Sequence, residues 1–164
     1  VSVSHRVDSD HQLARLLQIG IVLEEVVEAR SYHHYQSLDD EPRLDPAIES
    51  LLEDAADESA NHRERLEDLV DQLDAESVPF EQIEALVEAQ YGATEPEDFD
   101  DILYDQLCNE ETAYKFYDDL VGALRASEAS FSISRDRLID LLVEIREEEA
   151  QGVEEVTKLM NTRQ

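Results

Sequence analysis

Residues 99–124 read FDDILYDQLCNEETAYKFYDDLVGAL, with apolar members recurring at intervals of three and four. That period belongs to one face of an α-helix. Placed at about 100° intervals, Phe99, Leu103, Glu110, Ala113, Tyr117, Leu120 and Leu124 share one inward line. Glu110 breaks the apolar character of that line. Three other segments show the same spacing, each with its own polar exception. The first gives Leu13, Leu17, Gly20, Glu24, Val27 and Ser31, and the second Leu52, Ala55, Ser59, His62, Leu66 and Leu73. The last gives Leu138, Leu142, Ile145, Glu149, Gly152, Val156 and Leu159. Strand-like alternation is scarce, so the chain is predicted to be all-α.

Cap and breaker residues place the boundaries. Ser9, with Gln12 three residues on, opens a helix over about 9–37. A loop with Asp39, Asp40 and Pro42 follows, and Asp45-Pro46 opens a second helix over about 45–76. A longer connection carries a short helix over about 79–91, stopped by Gly92. The third long helix covers about 96–126 and the fourth about 134–160. Short loops make helices one and two, and the last two, antiparallel neighbours. The long middle connection lets the third long helix return on the far side. This is the four-helix bundle with one crossover that ferritin-like folds use, in a single domain over residues 1–164.

Composition narrows the function. The 164 residues carry 42 acidic against 13 basic side chains, a net charge of −29, spread over every polar helix face from Asp8 to Glu155. Lys115 and Lys158 are the two lysines. A uniform acidic surface reads as adaptation to molar salt, where screening shortens to about 3 Å, and points to a cytoplasmic protein of a halophile. No basic stripe exists to neutralise phosphates, so no nucleic-acid partner is expected. Nor is a membrane partner, because no apolar run nears the roughly 20 residues that span a bilayer. The single cysteine, Cys108, excludes an internal disulfide and a CxxC metal knuckle.

The polar exceptions lie near mid-helix, where they can meet at one level. A buried carboxylate without a partner takes up a proton or finds a cation. A bundle that binds two metals uses one Glu from each of two helices and a Glu-x-x-His pair from each of the others. Here Glu24 and Glu110 supply the single carboxylates. Ser59 and His62 form one pair with its Glu replaced, and Glu149 and Gly152 the other with its His replaced. Two readings stay open: a metal held by carboxylates and imidazole, or a relic whose Glu side chains protonate or pair with Arg and Tyr.

Neighbouring residues add alternatives. Glu25 adjoins Glu24 but points about 100° away. Glu58, four residues before His62 on the same face, can swing into the site or stay a solvated edge residue, and Glu148 beside Glu149 reads the same way. His33 and His34 could replace the absent imidazole or serve the helix C-terminus. Tyr117 is placed to hydrogen-bond a ligating carboxylate. Ile19, Val22 and Val26 form a second apolar face on the first helix, which either makes a homodimer surface or packs on the connecting helix.

Glu110-Glu111-Thr112-Ala113-Tyr114-Lys115-Phe116-Tyr117 resembles the third-helix signature of rubrerythrin-type ferritin-like proteins, whose ligand Glu is followed by Ala at the third position and Tyr at the seventh. Ser59-Ala60-Asn61-His62 and Glu149-Ala150-Gln151-Gly152 resemble their two Glu-x-x-His segments, each with one ligand substituted. The Glu24-Glu25 doublet resembles the first-helix site, with Ser31 where an aromatic is usual. The resemblance spans residues 10 to 160. It implies a di-iron oxidoreductase fold that reduces peroxide or oxidises ferrous iron. It offers Glu24, His62, Glu110 and Glu149 as ligands for one or two irons, with Glu58 as a substitute. A lone cysteine cannot build the four-thiolate iron centre of full rubrerythrins, so electrons would come from a partner protein. The rival expectation is a non-catalytic helical interaction protein that has lost its metal.

Overall fold

A computed structural model describes residues 7–38, 46–76, 79, 81–85 and 102–162, with side chains in the first helix to Ser31. Its elements are α1 (Asp10–Leu38), α2 (Pro46–Gln72), α3 (residues 81–85), α4 (Ile102–Ala126) and α5 (Arg135–Thr162). No described residue is in a strand, and the four long helices pack as a bundle.

The helix starts follow the cap chemistry. Ser9 Oγ accepts the Gln12 amide at 3.2 Å, and the Gln12 side chain accepts the Asp8 amide at 2.7 Å, which satisfies amides that the first turn leaves without intrahelical partners. Pro46 occupies the first turn of α2, where its missing N–H costs nothing. The second helix ends at Gln72, four residues before the predicted Glu76. Leu73 there bonds Val70 in a tighter i to i−3 turn at 3.1 Å. The expected helix over 79–91 is helical over 81–85 and Pro79 precedes it outside the helix, while residues 80 and 86–91, with Phe99 and residues 39–45, lie outside the described residues.

Cross-helix bonds give the direction of every packed pair. Arg15 near the start of α1 reaches the carbonyl of Glu76 beyond the end of α2 at 2.9 Å, and Arg63 pairs with Glu28 farther along. Arg30 of α1 meets Asp105 at the start of α4 at 2.8 Å, while Val7 accepts Ser127 beyond its end at 2.6 Å. Arg146 of α5 reaches Asp118 of α4. Arg65 and Arg137 join α2 to α5 in the same antiparallel sense. All four pairs are therefore antiparallel, so α2 and α4 run the same way and their connection must return along the bundle. The order is up-down-down-up with α3 in the crossover.

Asp10 ties one end together. Its carboxylate accepts the Asp74 and Ser132 amides at 3.0 Å each and the Ser132 hydroxyl. The large apolar cluster lies toward this end, around Leu13, Leu17, Leu66, Phe116, Leu120 and Leu142. Ile19 and Val22 are buried in it together with Ile83 of α3, so within one chain this face of α1 is covered. A smaller cluster of Ile48, Leu52, Leu103 and Val156 closes the other end. Between the two lies a polar layer.

Candidate metal centre

The layer takes one helical level from each of the four long helices. Glu24, Ser59, His62, Glu110 and Glu149 are all buried, as their places in the apolar lines require. His62 is the hub. Its Nδ1 lies 3.2 Å from Glu24 Oε1 and 3.0 Å from Glu149 Oε1, and its Nε2 lies 2.5 Å from Glu148 Oε2. Glu58 Oε1 stands 3.8 Å from Nε2. Tyr117 donates its hydroxyl to Glu24 Oε1 at 2.5 Å, a role the sequence suggested. Its ring packs edge-on to Phe116 and His62.

Behind Glu110 stands a buried chain that the helical spacing did not expose. Gln106 donates to Glu110 Oε1 at 2.9 Å, and Ser31 donates its hydroxyl to Gln106 Oε1 at 3.1 Å. Gln106 and Asp105 are fully buried. They sit beside the inward line and face α1, a signal legible only once α1 and α4 are known to pack together.

Burial and crowding shift the titrations. Burial pushes Glu149 well above the usual carboxylate range, and the charge of Glu24 and the hydrogen bond and charge of Glu110 add to the push. Burial also raises Glu110, with the bonds from Glu149 and Gln106 opposing. Glu58 rises from 4.5 to about 7 through burial, then repulsion from Glu110, with His62 opposing. Burial works to lower His62, but bonding to Glu24 and Glu148 outweighs it, and the imidazole is held above its ordinary value. Burial and the charges of Glu24 and Glu149 keep Tyr117 a protonated donor.

Ligand atoms of Glu24, His62 and Glu149 lie within 4.8 Å of one another, as do those of Glu58, His62 and Glu148 and those of Glu58, Glu110 and Glu149. These are buried Glu/His groups that could hold a metal ion. Glu24, Glu58, His62, Glu110 and Glu149, all offered as ligands from sequence, are here. Glu24 faces the layer, while Glu25 lies half-buried on the flank, raised by burial and close to Arg63. Glu58 and Glu148, read as solvated edges or inward swings, are both partly exposed; Glu148 reaches the His62 imidazole, while Glu58 stays 3.8 Å from it. Nothing is described of the His33 and His34 side chains.

One atom tests whether a cation fits. Glu24 Oε2 is buried and has no hydrogen-bond partner, a cost of a few kcal/mol for an ionised carboxylate. A set of carboxylates with one imidazole suits iron, manganese or zinc, and the orphaned oxygen lies on a ligating group. The residues fit such an ion. Comparison with protein families, curated proteins and solved structures gave no match, and no helix among the described residues is long and apolar enough to cross a membrane.

Proposed function

We propose that this bundle binds iron at Glu24, His62 and Glu149 and uses it in iron oxidation or peroxide reduction, as the ferritin-like proteins it resembles do. The observation carrying this reading is the buried, unpartnered Glu24 Oε2 beside the His62 imidazole. Each neighbour has a part. Nε2 meets Glu148 while Nδ1 faces Glu24 and Glu149, so a cation that displaces the Nδ1 proton would find that nitrogen beside both carboxylates. Tyr117 holds Glu24 by Oε1 and leaves Oε2 for the ligand. Glu24, His62 and Glu149 are themselves buried, between apolar clusters above and below. Bound iron would supply one-electron exchange with dioxygen or peroxide. Cys108 is the single cysteine, so we assign the electron supply to a partner protein.

The test is metal analysis of protein loaded anaerobically with ferrous iron in molar salt, beside Glu24→Gln. Retained iron that is lost in the variant is the expected result, and no retained iron in the wild type refutes the reading. A second reading, a scaffold without metal, rests on the way the layer closes its own bonds. His62 is bracketed by Glu24, Glu149 and Glu148, and Glu149 and Glu110 are joined by a hydrogen bond. That reading gains if no iron is retained and added iron leaves the unfolding temperature unchanged.

A further inference from the structure

Among the described residues the polar layer meets solvent between α2 and α5. Glu24, Ser59, His62, Glu110 and Glu149 are buried, whereas Glu58 and Glu148 keep 38% and 35% of their side chains exposed. The opposite seam, between α1 and α4, is closed at this level by buried Ser31 and Gln106 and by Arg30 on buried Asp105. The crossover helix α3 lies beside α1, where Glu84 stands near Glu25. Across the α2–α5 seam runs one continuous chain of contacts. Glu148 Oε2 meets His62 Nε2 at 2.5 Å on its inner side and Arg65 Nη2 at 2.6 Å on its outer side. Arg65 Nη1 lies 3.4 Å from Glu144 Oε1, and the Glu144 side chain is 65% exposed. One carboxylate oxygen thus links the buried imidazole to an arginine whose other anchor stands in solvent. The planar guanidinium fork suits Arg65 to hold two carboxylates at once.

We propose that Arg65 and Glu148 form a strap across the entrance to the buried site, and that ligand exchange requires the strap to swing outward. Glu148 already reaches solvent, so rotation about its own side-chain bonds takes it out of the seam. That motion uncovers His62 Nε2 and the gap beside Glu58, which stands 3.8 Å from the same nitrogen. Glu58 also has an oxygen within 4.8 Å of ligand atoms of Glu110 and Glu149, so the uncovered gap leads to Glu149 of the buried group. A partly exposed ion pair is weak enough in water to part and re-form, and exposed side chains change rotamer fast. Closed, the strap holds Glu148 on the imidazole; open, it leaves both residues in solvent. That the ligand admitted is a metal cation rests on the metal-binding reading above, whereas the strap itself is read from the contacts of the chain.

The first readout needs no metal. Diethylpyrocarbonate, a small reagent that acylates imidazole nitrogen, is applied to metal-free protein in molar KCl, and modified peptides are quantified by mass spectrometry. Exposed His11 is the internal standard. Arg65→Met keeps an apolar stem and removes the guanidinium, and should raise the rate at His62 relative to His11 by about tenfold or more. Arg146→Met, which removes an ion pair between α4 and α5, should leave that ratio unchanged. The second readout is Co²⁺, whose visible absorbance reports its uptake and its chelator-driven release. Arg65→Met should speed both by a similar factor and leave the equilibrium affinity within about threefold. Glu144→Gln removes only the outer anchor; it should shift both readouts the same way, and decides the matter if Arg65→Met does not fold. An unchanged His62 rate in folded variants overturns the proposal. Faster uptake with unchanged release overturns it too, since the guanidinium would then act only as a charge that repels the incoming cation. If no variant takes up Co²⁺, the metal-binding reading falls and the His62 rate alone decides the strap.

Discussion

Replacing three helical glycines by alanine, one at a time, measures whether the Glu110 carboxyl lies where the structure puts it. Glycine costs about 1 kcal/mol against alanine in a helix interior, so each replacement gains about that much before packing is counted. At exposed Gly122 an added Cβ meets nothing within 4 Å. This variant should gain the whole ~1 kcal/mol, about 2–4 °C in unfolding temperature for a chain this size. At Gly152 the Cβ meets Glu110 Oε2 at 2.6 Å, against 3.4 Å for ordinary contact. The carboxyl must retreat by about 0.8 Å, enough to break its 2.9 Å bond from Gln106 inside a buried layer, at a cost of ~1–3 kcal/mol. Because the propensity gain cancels between the two variants, Gly152→Ala should be less stable than Gly122→Ala by that ~1–3 kcal/mol. At Gly20 the Cβ meets Phe116 at 3.0 Å and Leu66 at 3.1 Å, and overpacking of about 1–3 kcal/mol should offset or exceed the gain. Far-UV circular dichroism during urea and thermal unfolding of metal-free protein in molar KCl reads all three. Equal stabilisation by Gly152→Ala and Gly122→Ala would show that the Glu110 carboxyl does not occupy that space.

Four further outcomes are expected. His62→Ala removes the base from among Glu24, Glu148 and Glu149 and should destabilise the metal-free protein by about 3–5 kcal/mol, read by urea unfolding. Tyr117→Phe takes the hydroxyl donor from buried Glu24 and should cost about 1–3 kcal/mol with the ring packing kept. Glu58 is raised from 4.5 to about 7, so in that window the native chain binds more protons than the unfolded one, and His62, raised from 6.5, acts in the same sense above that value. Metal-free stability should then fall as pH rises from 4.5 through about 7, with a shallower fall in Glu58→Gln, and an unchanged slope in that variant would contradict the assignment. Finally, with a net charge of −29, raising KCl from about 0.1 M to about 1 M shortens the screening length from ~10 Å to ~3 Å and should raise the unfolding midpoint. A midpoint independent of salt would remove the reading of the surface as salt-adapted.

The helices, their inward faces and the polar residues on them were legible in the sequence. A 3.6-residue period states which side chains share a face, and Ser9 and Pro46 punctuate it locally. The same period placed Glu24, His62, Glu110 and Glu149 at one level and favoured Glu24 over Glu25, because a residue's direction around a helix follows from its position alone. Tyr117 was found by the same rule, one turn beyond Ala113.

What the sequence left open depended on distances between helices. Glu58 and Glu148 stand at the edge of their apolar lines. Whether an edge carboxylate turns to solvent or inward depends on what the neighbouring helix offers, for Glu148 the Nε2 of His62 and the guanidinium of Arg65. Asp105 and Gln106 are buried because α1 crosses them with Arg30 and Ser31, a pairing that no pattern within α4 encodes. Gly152 is the sharpest case. In sequence it is a missing ligand, while in the folded chain its lack of a side chain admits the Glu110 carboxyl. Helical periodicity gives direction around one axis, and only the packing of four axes decides which charges must share the same buried space.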